Sequence, residues 1–135
     1  MSDPTPPANP TAPTPGQTMM VKAKDMPWQN AKSPGIQFKV LHHDETTGGS
    51  TMLLKFEPGA TTPLHEHTGL EQTYVIDGSL IDHDGELMAG DFVWRKAGSV
   101  HQAHSGTKGS LHISIFSRPN RMLDGSEDDL AFKKD

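Results

Sequence analysis

His65, Glu66 and His67 stand consecutively, Glu71 follows, and His101 lies further along the chain. Residues two apart in a strand share a face, so His65 and His67 project together. Glu71 sits at an even offset from His67, which keeps that face if the strand runs straight. Thr68 and Gly69 between them give the chain a place to bend. His101 comes from a later segment, which a closed barrel can bring across to the others. Three imidazoles and one carboxylate suit a borderline divalent ion: Fe(II), Mn(II), Ni(II), Zn(II) or Co(II). Ligands in that number leave one or two positions of an octahedral ion open, as a catalytic metal requires. The expectation is therefore one divalent transition metal per chain, held by His65, His67, Glu71 and His101.

The chain carries 8 histidines in 135 residues. Most of the others read as ordinary. His42 and His43, with Glu45, sit at a strand end and read as solvated. His83 adjoins an Asp84-Gly85 turn. His104 follows His101 at an odd offset and so faces away from it. His112 alternates with Ser114 and Phe116 on a late strand. It reads as a hydrogen-bonded core residue, and it is the one candidate for a supporting or proton-shuttling role beside the metal.

These side chains need a scaffold, and the chain offers one made of strands. Expected strands are Ile36–His42, Thr51–Phe56, Thr73–Ile76, Ser79–Ile81, Glu86–Met88, Asp91–Arg95, His101–Ala103 and Leu111–Ser117. Turn signals separate them: Gly48-Gly49, Pro58-Gly59, Asp77-Gly78, Asp84-Gly85, Gly90, Gly98 and Pro119-Asn120. Short strands with such punctuation predict an all-β sandwich or barrel. A short helix is expected at Ser126–Phe132, with Ser126 as its cap and acidic residues in its first turn. Phe38, Met52, Leu54, Phe92, Trp94, Ile113 and Phe116 are candidate walls of a pocket or simply core. Tyr74 and Ile76 lie opposite Val75, so this strand is apolar on both faces; the second face predicts a homodimer.

Composition excludes several classes. Residues 1–18 hold 6 of the 11 prolines and three apolar residues, Met1, Ala8 and Ala12. That segment cannot bury enough surface to order itself and is expected to be a disordered tail. The domain is expected over 19–135, with its barrel at about 33–118. Net charge is −5 and no basic stripe exists, so nucleic acid is not an expected partner. No apolar run approaches the ~18 residues of a membrane span. No apolar leader opens the chain, from which a cytoplasmic location is expected. With 0 cysteines there are no disulfides, thiolate ligands or thiol nucleophile.

The metal-binding residues fall into a pattern that resembles the cupin superfamily. The first cupin motif, G-x(5)-H-x-H-x(3,4)-E-x(6)-G, is filled by Gly59, His65, His67, Glu71 and Gly78. The second, G-x(5)-P-x-G-x(2)-H-x(3)-N, is met by Gly90, Gly98 and His101. Lys96 replaces its proline and Ser105 its asparagine, which puts the loop geometry rather than the ligands in question. Trp28, the Gly35–Leu41 segment and Pro58–His67 look like the ChrR-like branch. That branch includes cupin domains of anti-sigma factors, and enzymes similar to acetylacetone dioxygenase and 2,4′-dihydroxyacetophenone dioxygenase.

The resemblance implies a single-domain double-stranded β-helix, or jelly-roll barrel, with the four ligands at one mouth. It implies a non-haem Fe(II) dioxygenase that cleaves a small diketone or hydroxyketone. Two other readings stay open: a metal-dependent isomerase or lyase acting on a sugar or organic acid, and a non-enzymatic metal- or ligand-binding sensor. An anti-sigma factor of this branch would carry a cysteine-liganded zinc domain before the barrel, and this chain has no cysteine. The acetylacetone-cleaving type has three histidines without the glutamate, so Glu71 is a departure from it.

Overall fold

The computed structural model describes residues 15–126. Residues 1–14 of the expected tail, and the expected helix beyond Ser126, lie outside them. The described residues form an all-β domain whose only helical turn is a 3₁₀ turn at Ala23–Asp25. No helix among them is long and apolar enough to cross a membrane.

Ten strands follow in order: β1 Gln29–Asn30, β2 Ile36–His43, β3 Ser50–Phe56, β4 His65–His67, β5 Glu71–Asp82, β6 Gly85–Met88, β7 Phe92–Arg95, β8 Val100–His101, β9 His104–Phe116 and β10 Asn120–Met122. Seven of them make one sheet, ordered β1-β2-β3-β9-β5-β6, with β7 also paired to β5. The other three make a small sheet ordered β10-β4-β8. Every pairing is antiparallel. A central cavity draws its lining from both sheets, which is the jelly-roll arrangement.

Alternation sets the inner face. Ile36, Phe38 and Val40 of β2, and Met52, Leu54 and Phe56 of β3, are buried at alternate positions. Val75 from β5 and Leu80 complete a continuous apolar core with them. On the outer face, Lys39 is buried despite its charge, because Trp28 lies against it and its ammonium donates to Ala23 O at 2.8 Å. The segment before β1 thus lies against the outer face of β2. Lys55 approaches the same indole ring, 4.8 Å from its centroid.

Three expectations are corrected. Asp77-Gly78 is not a turn, because β5 runs through it as one strand. The pairing of β5 with β9 shifts register between Val75 and Asp77 and again between Gly78 and Leu80. Gly78 takes φ +73°, and a Cβ there would lie 2.1 Å from Gly109 O. The Asp-Gly pair thus makes an irregularity inside a long strand instead of a hairpin. The last long strand begins at His104 rather than Leu111, and the one before it ends at His101. Phe92 and Trp94 do not line a pocket. They are 52% and 57% exposed, on the outer face of the large sheet. Ile113 shares that face with them, opposite Tyr74.

Candidate metal centre

Strand β4 carries His65 and His67 between β10 and β8, with His65 opposite His101 and His67 opposite Asn120. Its alternation turns both histidines inward, and all three rings are buried. The loop from β7 to β8 fixes the backbone of β4: His67 N–H donates to Ser99 O at 2.9 Å, and Gly98 N–H to His67 O at 2.7 Å. Lys96, in the motif's proline position, accepts from Ser99 N–H at 3.2 Å, so the turn forms without proline. Ser105, in the asparagine position, is buried and donates to Glu57 O at 2.5 Å.

Each ring has an acceptor at Nδ1. His65 Nδ1 donates to Pro63 O at 2.7 Å, His67 Nδ1 to Asn120 Oδ1 at 2.9 Å and His101 Nδ1 to Asp82 Oδ2 at 2.8 Å. This fixes the tautomers and leaves Nε2 as the nitrogen each ring offers to a cation. One nitrogen from each of His65, His67 and His101 lies within 4.8 Å of the others. His67 Nε2 and His101 Nε2 are 2.9 Å apart. With both Nδ1 atoms protonated, two lone pairs face each other there, an arrangement that a shared cation resolves. The residues therefore fit a divalent ion. Burial lowers the pKa of His67 to about 4, and the nearby Arg95 charge adds to the effect, against the raising influence of Asn120. Burial, then Arg95, brings His101 to about 3 although Asp82 opposes this. The His67 and His101 imidazoles are thus neutral at physiological pH, as ligation requires.

Glu71 stands beside this group and outside it. It is buried, with Oε1 3.4 Å from His67 Nε2; the strand is interrupted between β4 and β5, so the even offset from His67 does not carry across. The same oxygen accepts from Arg95 Nη1 at 2.8 Å. Arg95 faces Glu71 directly across the β5–β7 pairing. Its Nη2 donates to Asp82 Oδ2 at 2.5 Å, the oxygen that also takes the His101 proton. Burial raises the Glu71 pKa over the lowering influence of Arg95. Burial also opposes ionisation of Asp82, but the bonds from His101 and Asp84 N–H and the Arg95 charge outweigh it and hold its carboxyl at about 2.

A cavity is lined by His65 and His101 together with Leu54, Phe56 and Phe116. His112 is on its wall, fully buried, with Nδ1 2.8 Å from Ser110 Oγ and its ring edge-on to Phe56. Desolvation lowers its pKa to about 4. Thr73 and Ser114 bond to each other on the same wall at 2.6 Å. His42 and His83 are not part of the site, and His104 is exposed.

Three residues that shape the centre have no motif to announce them: Arg95, Asp82 and Asn120. Arg95 alternates with Trp94 on β7, where the aromatic residue is the one an inward position would be given. Asn120 was expected to end a strand and instead begins β10.

Among curated proteins none matches the chain. Among solved structures, a cupin-fold protein of unknown function from Ralstonia eutropha JMP134 is 29% identical, with TM-score 0.60, over 64% of this chain and 61% of that one. An RmlC-like cupin from the same organism is 24% identical, with TM-score 0.72, over 87% and 79%. An acetylacetone dioxygenase from Acinetobacter johnsonii is 16% identical, with TM-score 0.70, over 90% and 87%. The model of the ChrR cupin-like domain matches residues 16–119. With its jelly-roll barrel, three-histidine cluster and that match over most of its length, the chain belongs to the ChrR cupin-like family.

Proposed function

We propose that this protein is a metal-dependent dioxygenase that cleaves a carbon–carbon bond in a small diketone or hydroxyketone, using one ferrous ion held by His65, His67 and His101. The carrying observation is the cluster itself: three buried imidazoles, each oriented through Nδ1, two of which, His65 and His101, line a mostly apolar cavity. Ferrous iron, when bound, supplies the one-electron chemistry toward dioxygen that no side chain here offers. The protein's own share is binding and exclusion. Pro63, Asn120 and Asp82 hold the rings in place, so little reorganisation accompanies ligand entry. Leu54, Phe56 and Phe116 keep water from the reacting atoms. Most of the cavity lining is apolar, which suits a ketone better than a polyhydroxylated sugar, whose hydroxyls would need partners there. The likeness to an acetylacetone dioxygenase supports the same substrate class.

The test is dioxygen consumption by Fe(II)-loaded protein with a panel of β-diketones and hydroxyacetophenones. Uptake matched to substrate loss, absent in His101→Ala, is expected. Turnover of a carbonyl compound under nitrogen with Mn(II) or Zn(II) would replace this reading with an isomerase or lyase. Tight ligand binding without turnover would replace it with a sensor.

We also propose that the protein pairs with a second copy through the outer face of the large sheet. Phe92, Tyr74 and Ile113 form one row across three strands, and Trp94, Gln72 and Ile115 the next. None of the six carries a charge, so a two-fold axis brings no like charges together.

A further inference from the structure

We propose that Arg95 is a positioning residue that withholds Glu71 from the metal, so that the centre presents three nitrogens and keeps three octahedral positions for exogenous ligands. This rests on the metal-centre reading above and deepens it. A site with three vacancies accepts a substrate that chelates through two oxygens while a third position stays open for a small molecule such as dioxygen. A glutamate ligand would remove one of those positions.

The geometry supplies the restraint. Glu71 and Arg95 are direct partners on adjacent antiparallel strands, so their bond is built into the register of the sheet. Arg95 is in turn held by Asp82. Asp82 is tied to His101, so a continuous chain runs from one histidine of the cluster through Asp82 and Arg95 to Glu71, which ends beside another, His67. All three charged side chains in that chain are more than nine-tenths buried. The Arg95 Nε–H is already a buried donor without a partner. Turning Oε1 away to an ion would take from Nη1 its acceptor as well, and the cost of unpaired buried donors opposes that turn. Glu71 is nonetheless close, with its Oε1 3.4 Å from His67 Nε2. The motif position is thus filled by a glutamate that its neighbour engages.

The probe is Co(II) added alone, read by its visible d–d absorption and by affinity in competition with a chromophoric chelator. Glu71→Gln, which can still accept from Arg95, is expected to keep the wild-type spectrum and an affinity within about threefold. Arg95→Met is expected to change the spectrum and tighten Co(II) binding by about tenfold or more, as a carboxylate joins the ion. Arg95→Met combined with Glu71→Gln should return the wild-type spectrum. Loss of affinity of about 100-fold in Glu71→Gln alone would show that Glu71 is already a ligand and overturn the proposal, even if Arg95→Met does not fold. An unchanged spectrum in folded Arg95→Met would overturn it too. Failure of wild-type protein to bind Co(II) would instead bring down the metal centre itself, and this inference with it.

Discussion

The three histidines of the cluster were legible because their chemistry is local: an H-x-H pair on one strand face and a third histidine framed by glycines. Arg95 and Asp82 were not, because a strand's inward face is read from where its apolar residues fall. On β7 the aromatic residues Phe92 and Trp94 point outward and Arg95 inward, the reverse of the usual pattern. Glu71 was legible as a candidate from its place in the motif, but nothing near it in sequence reveals the guanidinium across the sheet. His112 leads to a prediction at this scale. Burial holds it neutral in the fold, with a pKa lowered to about 4, while in the unfolded chain it titrates near the ordinary 6.5. Between those values the unfolded chain binds the extra proton, so stability is full above about pH 6.5 and falls as pH drops toward 4. The slope from this group reaches about 1.4 kcal/mol per pH unit. The urea midpoints of metal-free wild type and His112→Gln, compared at pH 7 and pH 4.5, check this. The variant is expected to lose markedly less stability over the interval; equal losses would mean that His112 is not the group titrating.

Elements were legible where alternation is clean, as in β2 and β3, whose predicted bounds differ from the observed ones by a residue. They were lost where a strand is irregular. β5 and β9 both run through glycines that look like breaks, because the space beside each is taken: Gly78 meets Gly109 O, Gly109 meets Phe56 O of β3, and Gly106 meets the Ser79 side chain. At Gly78 the positive φ and the nearness of Gly109 O coincide. Gly78→Ala must therefore move the backbone of one strand or the other, and it is expected to cost about 3 kcal/mol or more. That corresponds to a melting temperature lower by roughly 10 °C. Gly59→Ala is the control. Gly59 shares a φ of +75° but has no atom within 4 Å of the added carbon, so only the conformational cost of about 1 kcal/mol remains. Equal losses in the two variants, measured by thermal unfolding, would mean that the close approach is not what matters at Gly78.

For the whole molecule, a barrel of this size was legible from the number and spacing of its strands, but its surroundings were not. The apolar second face noticed at Tyr74 and Ile76 extends across three strands once the fold assembles. Trp94→Glu places a charge in the middle of that face while leaving the inner face intact. It is expected to convert a dimeric wild type into a monomer by light scattering, with the three-histidine cluster still able to take up metal. A monomeric wild type at micromolar concentration would rule the pairing out. The chain has two tryptophans, and the fold has sent them to different duties. Trp28 lies against the ammonium groups of Lys39 and Lys55, whereas Trp94 stands in the open on the face proposed for self-pairing. Their emission is therefore separable by an aqueous quencher such as iodide. One indole signals whether the leading segment stays docked on the barrel, and the other whether a second subunit has arrived, with no dye attached to the protein.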